Sequence, residues 1–168
     1  GMYERLPALA EELVRLKVDV IVAGGPPAII AARKATATIP IVFVTSIDPV
    51  EAGYVKSLSH PGGNVTGISN LSGEVSPKHL EMLLTMAPKL TRVAVLVNPA
   101  NSAHVAMLKN VQIAAPKVNV KIMPAEARTP QEIETAFSTM AKEKVGAIIV
   151  GLDPFFISQR RQIAELAA

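Results

Sequence analysis

The 168-residue sequence predicts an α/β protein in which parallel sheets are flanked by helices. Short runs rich in Val and Ile, typical of strands, alternate with longer segments whose apolar residues recur at helical spacing. Such an alternation implies parallel strands joined by right-handed helical crossovers. The run from Ile41 to Val44 has no alternating polar residues, which predicts a strand buried on both of its faces.

The first half of the chain contains two predicted helices and three predicted strands. The helix over residues 6–16 carries four Leu residues on one face and needs a sheet to cover them. A strand at 18–23 leads into the turn Gly24-Gly25-Pro26-Pro27, and proline suits the first position of the helix that then reaches Ala37. The other two strands are predicted at 41–44 and 65–68.

In the second half, the starts of the helices are marked by capping residues. These are Ser76 before Pro77, Asn98, Asn101 and Ser102, a capping box of Thr129 with Glu132, and Asp153 before Pro154. The helices that follow are predicted to reach about residues 87, 115, 140 and 164, and the strands between them lie at 91–97, 118–123 and 145–150.

Four short motifs occur in a fixed order between residues 39 and 67. IPIVF is followed by DPV, by a Gly-x-Val-Lys-Ser-Leu segment and by PGGNVTG. In this combination, and from about Val18 onward, the sequence resembles the ABC-transporter substrate-binding protein family, which includes tryptophan-binding and other importer components. The resemblance implies a type I periplasmic-binding-protein architecture, in which two Rossmann-like lobes close over a solute.

This resemblance divides the chain into part of a first lobe, residues 1–73, and part of a second lobe, residues 74–168, which includes the crossover helix. Each lobe is expected to be incomplete, because the family has five strands in the order 2-1-3-4-5 and only three are predicted here in each half. The strands at Val18, Ile41 and Val65 would take the third to fifth places of the first lobe, and those at Thr91, Val118 and Val145 the first to third places of the second.

Two of these strands would then have an unpaired edge. Each trio stays contiguous in the family order, but the strands at Val18 and Val145 lack one neighbour. Long apolar edges favour pairing with another chain. The hypothesis is a homodimer, or an exchange of elements, through these exposed sheet edges.

Polar residues follow the predicted strands at their carboxyl ends, where open parallel sheets bind ligands. Carboxylates suit an ammonium group, whereas hydroxyls and the N–H groups at a helix start suit a carboxylate. The pattern favours a zwitterionic solute such as an amino acid. The alternative is that Asp48, Asn98 and Asp153 serve as turn and N-cap residues, and the two roles are compatible. The predicted ligand-binding residues are Gly25, Thr45, Ser46, Asp48, Ser69, Asn70, Asn98 and Asp153.

Motifs for enzymatic, cofactor or metal chemistry are missing from the sequence. It has no Cys, no Gly-x-Ser-x-Gly elbow and no glycine-rich nucleotide-binding loop. His60, His79 and His104 fall on separate elements, which predicts surface or capping residues. The net charge of +3 comes without a basic cluster beyond Arg160 and Arg161, so a nucleic-acid partner is not expected.

The expected partners are a small-molecule solute and, for the intact protein, a membrane ABC permease. The resemblance implies a periplasmic or extracytoplasmic location, although the chain starts without a signal-peptide pattern. Two other interpretations stay open. One is a cytoplasmic ligand-sensing or regulatory domain of the same fold, and the other is a small α/β enzyme without a recognisable motif.

Overall fold

The computed structural model describes residues 3–45, 47–70 and 76–168, which form two compact units, 3–70 and 76–168. Each unit contains a three-stranded sheet in which all the strands are parallel. The predicted α/β class with parallel sheets flanked by helices is therefore confirmed. Among the described residues, none of the helices has the length and apolar character that crossing a membrane requires.

The first unit has the strand order β1-β2-β3, and Ile21 of β1, Ile41 of β2 and Val65 of β3 are in register. The contiguous trio expected in this half is observed. Its strands are β1 (Ile21–Gly24), β2 (Ile41–Thr45) and β3 (Val65–Ser69), and its helices are α1 (Leu6–Arg15) and α2 (Pro26–Ala35), with a 3-10 turn at Tyr3–Arg5.

β1 begins three residues later than predicted. Lys17, just after α1, adopts a positive φ of 52°, and residues 18–20 connect this turn to the strand. Ile21 is then the first residue of β1 to pair with β2.

Among the described residues, helices cover one face of the first sheet and leave the other exposed, so the prediction that β2 is buried on both faces is wrong. Ile41 and Phe43 pack with Ile29 of α2, whereas Val42 and Val44 on the opposite face are 36% and 48% exposed. The physical reason is the position of the helices. α2 covers one face, and the main packing partner of α1 is α2 rather than the sheet. α1 was expected to cover the sheet, but its principal contact is α2.

The second unit has the strand order β5-β4-β6, with β4 in the centre. This order also agrees with the expected trio. The strands are β4 (Arg92–Val97), β5 (Lys121–Glu126) and β6 (Ala147–Val150); the helices are α3 (Ser76–Met86), α4 (Ser102–Ala114), α5 (Pro130–Lys142), α6 (Pro154–Ser158) and α7 (Arg160–Ala167), with a 3-10 turn at Ala115–Val118.

β4 is the strand that is buried on both faces. Val93 and Val95 pack with Leu80 of α3 and with α4, whereas Ala94 and Leu96 contribute to a second cluster with α5, α6 and α7. The unit therefore has three layers, with helices on both sides of the sheet.

Two elements of this unit differ from the prediction. β5 begins at Lys121 instead of residue 118, because the 3-10 turn ends at Asn119, whose φ of 60° is left-handed. The final helix is interrupted at Gln159, where the Ser158 hydroxyl donates to the carbonyl oxygen of Phe155 at 2.7 Å. The result is two short helices, α6 and α7, in place of one.

Gly67 in β3 provides a test of the first sheet. A Cβ at this position would collide with the carbonyl oxygen of Phe43 and lie 2.6 Å from the Cγ of that ring. We expect Gly67→Ala to lower the free energy of unfolding by about 1–3 kcal/mol, because the β2 backbone and a buried ring must shift. Urea denaturation measures the change.

Thr66→Ala is the matched control, because Thr66 is the neighbouring residue of β3 and is exposed. It should change the unfolding free energy by less than about 0.5 kcal/mol. Equal effects of the two substitutions would contradict the close packing of β3 against Phe43.

Candidate functional site

The carboxyl edge of the first sheet brings together polar residues that follow β1, β2 and β3. Gly25 follows β1 with a φ of 78°, and its N–H donates to the carbonyl oxygen of Val44 at 2.8 Å. It is also the N-cap residue of α2. The positive end of a ten-residue helix therefore lies beside the end of β2.

Asp48 lies in a tight turn after β2. Its Oδ1 accepts hydrogen bonds from the backbone N–H of Val50 at 2.7 Å and of Glu51 at 3.2 Å. The side chain is half-buried. This is the turn role that the sequence offered as the alternative to ligand binding, and it fixes the carboxylate in one orientation.

The ends of β2 and β3 are joined by hydrogen bonds. The N–H of Asn70 donates to the carbonyl oxygen of Thr45 at 3.2 Å, and the Ser69 hydroxyl donates to the carbonyl oxygen of Ile47 at 2.7 Å. Thr45 is buried, whereas Asn70 is exposed. Ser46, which was also predicted to bind the ligand, lies outside the described residues.

In the second unit, Asn98 follows β4 and is buried. Its Oδ1 accepts from the N–H of Ala100 at 3.1 Å, and its own N–H donates to Nδ1 of His104 at 2.7 Å. Three residues later Asn101 caps α4, with its Oδ1 accepting from the N–H of Ala103. The loop between β4 and α4 is thus held by side chains of its own residues.

Asp153 is completely buried at the end of the loop after β6. Its Oδ1 accepts from the N–H of Phe155 at 2.8 Å and caps α6, and its Oδ2 accepts from Nδ2 of Asn101 at 2.9 Å. The capping role that the sequence offered as an alternative is therefore present. The hydrogen bond from Asn101 to Asp153 also connects the loop after β4 to the loop after β6.

His104 lies in this cluster of buried polar residues, although the sequence did not place it there. It was expected on the surface or as a cap, but only 2% of it is exposed. Nε2 lies 3.1 Å from the carbonyl oxygen of Leu152, and the ring stacks on Phe156 with the centroids 5.9 Å apart. Gly151 also lies against the ring, because a Cβ there would be 2.7 Å from Nε2, but the sequence gives no signal of this contact.

The surroundings of His104 favour the neutral imidazole. Burial lowers its pKa below the ordinary value, and this effect outweighs the Leu152 carbonyl and the Asp153 carboxylate, which raise the pKa. Because Nδ1 accepts from Asn98, the proton lies on Nε2, which donates to Leu152. Within the described ranges, no group of three or more His, Asp or Glu is placed to hold a metal ion.

Comparison with known proteins gives consistent results. The family model described as "ABC transporter substrate binding protein" matches residues 1–167. Over 160 residues the chain is 32% identical to a tyrosine-binding protein of Clostridioides difficile (strain R20291), a match that covers 95% of this chain and 46% of that protein.

Two solved structures are similar along 99% of the chain. A conserved domain protein from Vibrio cholerae has a TM-score of 0.87 and 30% identity, with 55% of its length covered. An ABC domain in complex with L-Trp from Streptococcus pneumonia has a TM-score of 0.84 and 23% identity, with 57% covered. The chain therefore spans about half the length of the relatives it matches.

The burial of His104 predicts a pH-dependent stability. Because its pKa is lowered in the folded state, the unfolded chain binds this proton more readily, and protonation favours unfolding. The contribution of neutral His104 to the free energy of unfolding should be complete above about pH 6.5, the ordinary pKa of histidine in an unfolded chain. It should decrease as the pH falls below that value. Urea denaturation across this range tests the direction.

Two variants identify the side chain that causes the pH dependence of stability. His104→Gln removes the buried titrating side chain and should flatten the pH dependence, whereas His60→Gln removes an exposed one and should leave it as in the wild type. A flattened profile in His60→Gln, or a persistent one in His104→Gln, would contradict the assignment.

Proposed function

The chain belongs to the ABC transporter substrate-binding protein family, and we propose on that basis that it captures an amino acid or related zwitterion for import. Family membership makes it a binding protein rather than an enzyme, as the sequence predicted. In the proposal, the solute is held between the two lobes of the full-length, extracytoplasmic protein, which delivers it to a membrane ABC permease.

The observation that carries the proposal is the group of polar residues at the carboxyl edge of the first sheet. Asp48 offers a half-buried carboxylate held by two backbone N–H groups, and a carboxylate is the natural partner of a solute ammonium group. The Asn70 side chain both donates and accepts hydrogen bonds. The start of α2 after Gly25 favours the negative charge of a solute carboxylate.

We assign different roles to the predicted ligand-binding residues according to burial, except for Ser46, which lies outside the described residues and keeps the role predicted from the sequence. Thr45, Asn98 and Asp153 are buried, and we propose that they hold the loops in place. The proposed direct contacts are Gly25, Ser46, Asp48, Ser69 and Asn70. The name of the tyrosine-binding relative, which is similar along 95% of this chain, supports an amino acid as the solute.

Solute binding can be tested by thermal shift and isothermal titration with L-tyrosine, L-tryptophan and L-leucine. A solute present at 100 times its dissociation constant should stabilise the chain by about 2.7 kcal/mol. Asp48→Asn should weaken binding by at least about tenfold, because the amide removes the charge that pairs with the ammonium group. Tyramine and 3-(4-hydroxyphenyl)propanoate, each with one charged group of tyrosine, should bind more weakly than tyrosine.

Glu51→Gln is the control for Asp48→Asn, because it removes an exposed carboxylate three residues away. It should leave the affinity unchanged. If no amino acid binds, the proposed function is wrong. If amino acids bind but Asp48→Asn binds them as tightly as Glu51→Gln does, the role proposed for Asp48 is wrong.

We also propose that this chain forms a homodimer through its sheet edges. Within the described residues, β1 pairs only with β2 and β6 pairs only with β4, so each has one unpaired edge. Both edge strands carry exposed apolar side chains: Val22 of β1 is 72% exposed and Val150 of β6 is 38% exposed. Unpaired strands with apolar side chains favour pairing with another strand.

Light scattering over a dilution series measures the oligomeric state. The double variant Val22→Lys, Val150→Lys should shift the wild-type dimer to a monomer, because a charged side chain on an edge strand opposes pairing. Val105→Lys, on the exposed side of α4, should stay dimeric. A monomeric wild-type chain at all concentrations would refute the dimer.

A further inference from the structure

The loops after β4 and β6 are connected by two hydrogen-bonded bridges at the carboxyl edge of the second sheet. In the first bridge, His104 accepts from the N–H of Asn98 and donates to the carbonyl oxygen of Leu152. In the second, Asn101 donates to Asp153. The side chains that form the bridges, His104, Asn101 and Asp153, are buried, so breaking either bridge leaves buried polar groups without water as a substitute partner.

The imidazole is held in one position by its surroundings. Its ring is almost parallel to that of Phe156, with an interplanar angle of 6°. Gly151 approaches so closely that an added Cβ would lie 2.7 Å from Nε2. A side chain packed between a ring and a backbone has few alternative rotamers, so His104 sets the separation of the two loops.

The bridges leave other parts of the same loops at the surface. The carbonyl oxygen of Leu152 accepts from His104, while 64% of the residue is exposed. Ala100, whose N–H donates to Asn98, is also exposed. The buried bridge therefore lies directly beneath surface residues at the carboxyl end of the strands, where parallel sheets bind ligands.

We propose that His104 is a positioning residue for solute binding, which acts by holding the β4–α4 loop and the β6–α6 loop at a fixed separation. This inference rests on the proposed function, because it assigns the surface of these loops to the solute site. His104 itself does not contact the solute, and its effect passes through Asn98 and Leu152.

A role in positioning makes solute affinity depend on the protonation of His104. A proton on Nδ1 would face the Asn98 N–H, and two donors cannot share a hydrogen bond. Among the described residues, the charged group that acts on the ring is the Asp153 carboxylate, from the loop after β6. The other groups around the ring, from β4, α6 and the loop after β6, are the uncharged residues Asn98, Gly151, Leu152 and Phe156.

Two conservative variants separate the halves of the bridge. His104→Asn can retain an acceptor for the Asn98 N–H but is too short to reach Leu152, whereas His104→Gln can retain the donor to Leu152 but not the acceptor. Each should weaken the binding of L-tyrosine about tenfold, the lower end of the effect of losing a supporting residue behind a binding site. Isothermal titration with the whole chain measures the affinity.

The pH profile distinguishes positioning from general stability. Wild-type affinity should decrease as the pH falls through the pKa of His104 in the folded protein, which burial lowers below the ordinary value of about 6.5. His104→Gln should have a weaker affinity without this decrease. Circular dichroism at each pH ensures that only folded protein is compared. Hydrogen exchange of the Asn98 amide should be slow in the wild type and faster in His104→Gln, which reports the bridge without any solute.

The outcomes separate this inference from the proposed function. If the wild type binds L-tyrosine and both variants bind equally well with the same pH profile, the positioning role is overturned and the proposed function stands. If the wild type binds no amino acid, the proposed function fails and the positioning role fails with it. Unchanged exchange of the Asn98 amide in His104→Gln would also overturn the inference.

Discussion

Burial of polar groups at the end of β4 is the constraint on which the second unit depends. The strand is covered on both faces, so the chain leaves it while still surrounded by protein. Polar groups that emerge there must find protein partners, because a buried group without one costs about 1–3 kcal/mol. The partners come from α4 and from the loop after β6, and the same bonds that satisfy these groups also arrange the loops.

The first unit is built under a different constraint. Among the residues that the structure describes, α2 covers one face of its sheet and the other face is exposed, so β1 and β2 alternate between buried and exposed apolar residues. The loops at its carboxyl edge are consequently held by short backbone turns, such as the one around Asp48. The two units of this chain thus order their strand ends in different ways, with buried side-chain bridges in one unit and local turns in the other.

Much of this organisation could be predicted from the sequence, because it is determined by neighbouring residues. The caps at Asn101, Thr129 and Asp153 are where the residue types indicated. The strand order, by contrast, was implied by the family resemblance. The capping box differs in one detail, since Glu132 accepts from the N–H of Arg128 rather than from that of Thr129. Such bonds span a few residues and need little tertiary information.

The remaining features depend on contacts between distant residues. The exposure of Val42 could not be read from an apolar run, because burial depends on which helix covers each face. His104 has no neighbour in sequence that indicates its partner, Leu152, 48 residues away. An isolated histidine in a helix is consistent with a surface position until the opposing loop is known.

The uncovered face of the first sheet affects how this protein can be studied in solution. Val22, Val44 and Ile68 expose apolar surface in the folded state. Fluorescent dyes such as ANS, which are used to detect partly folded states, bind surface of this kind. Dye fluorescence from this chain would therefore report the native fold as well as its loss, so it cannot by itself distinguish the folded from a partly folded state.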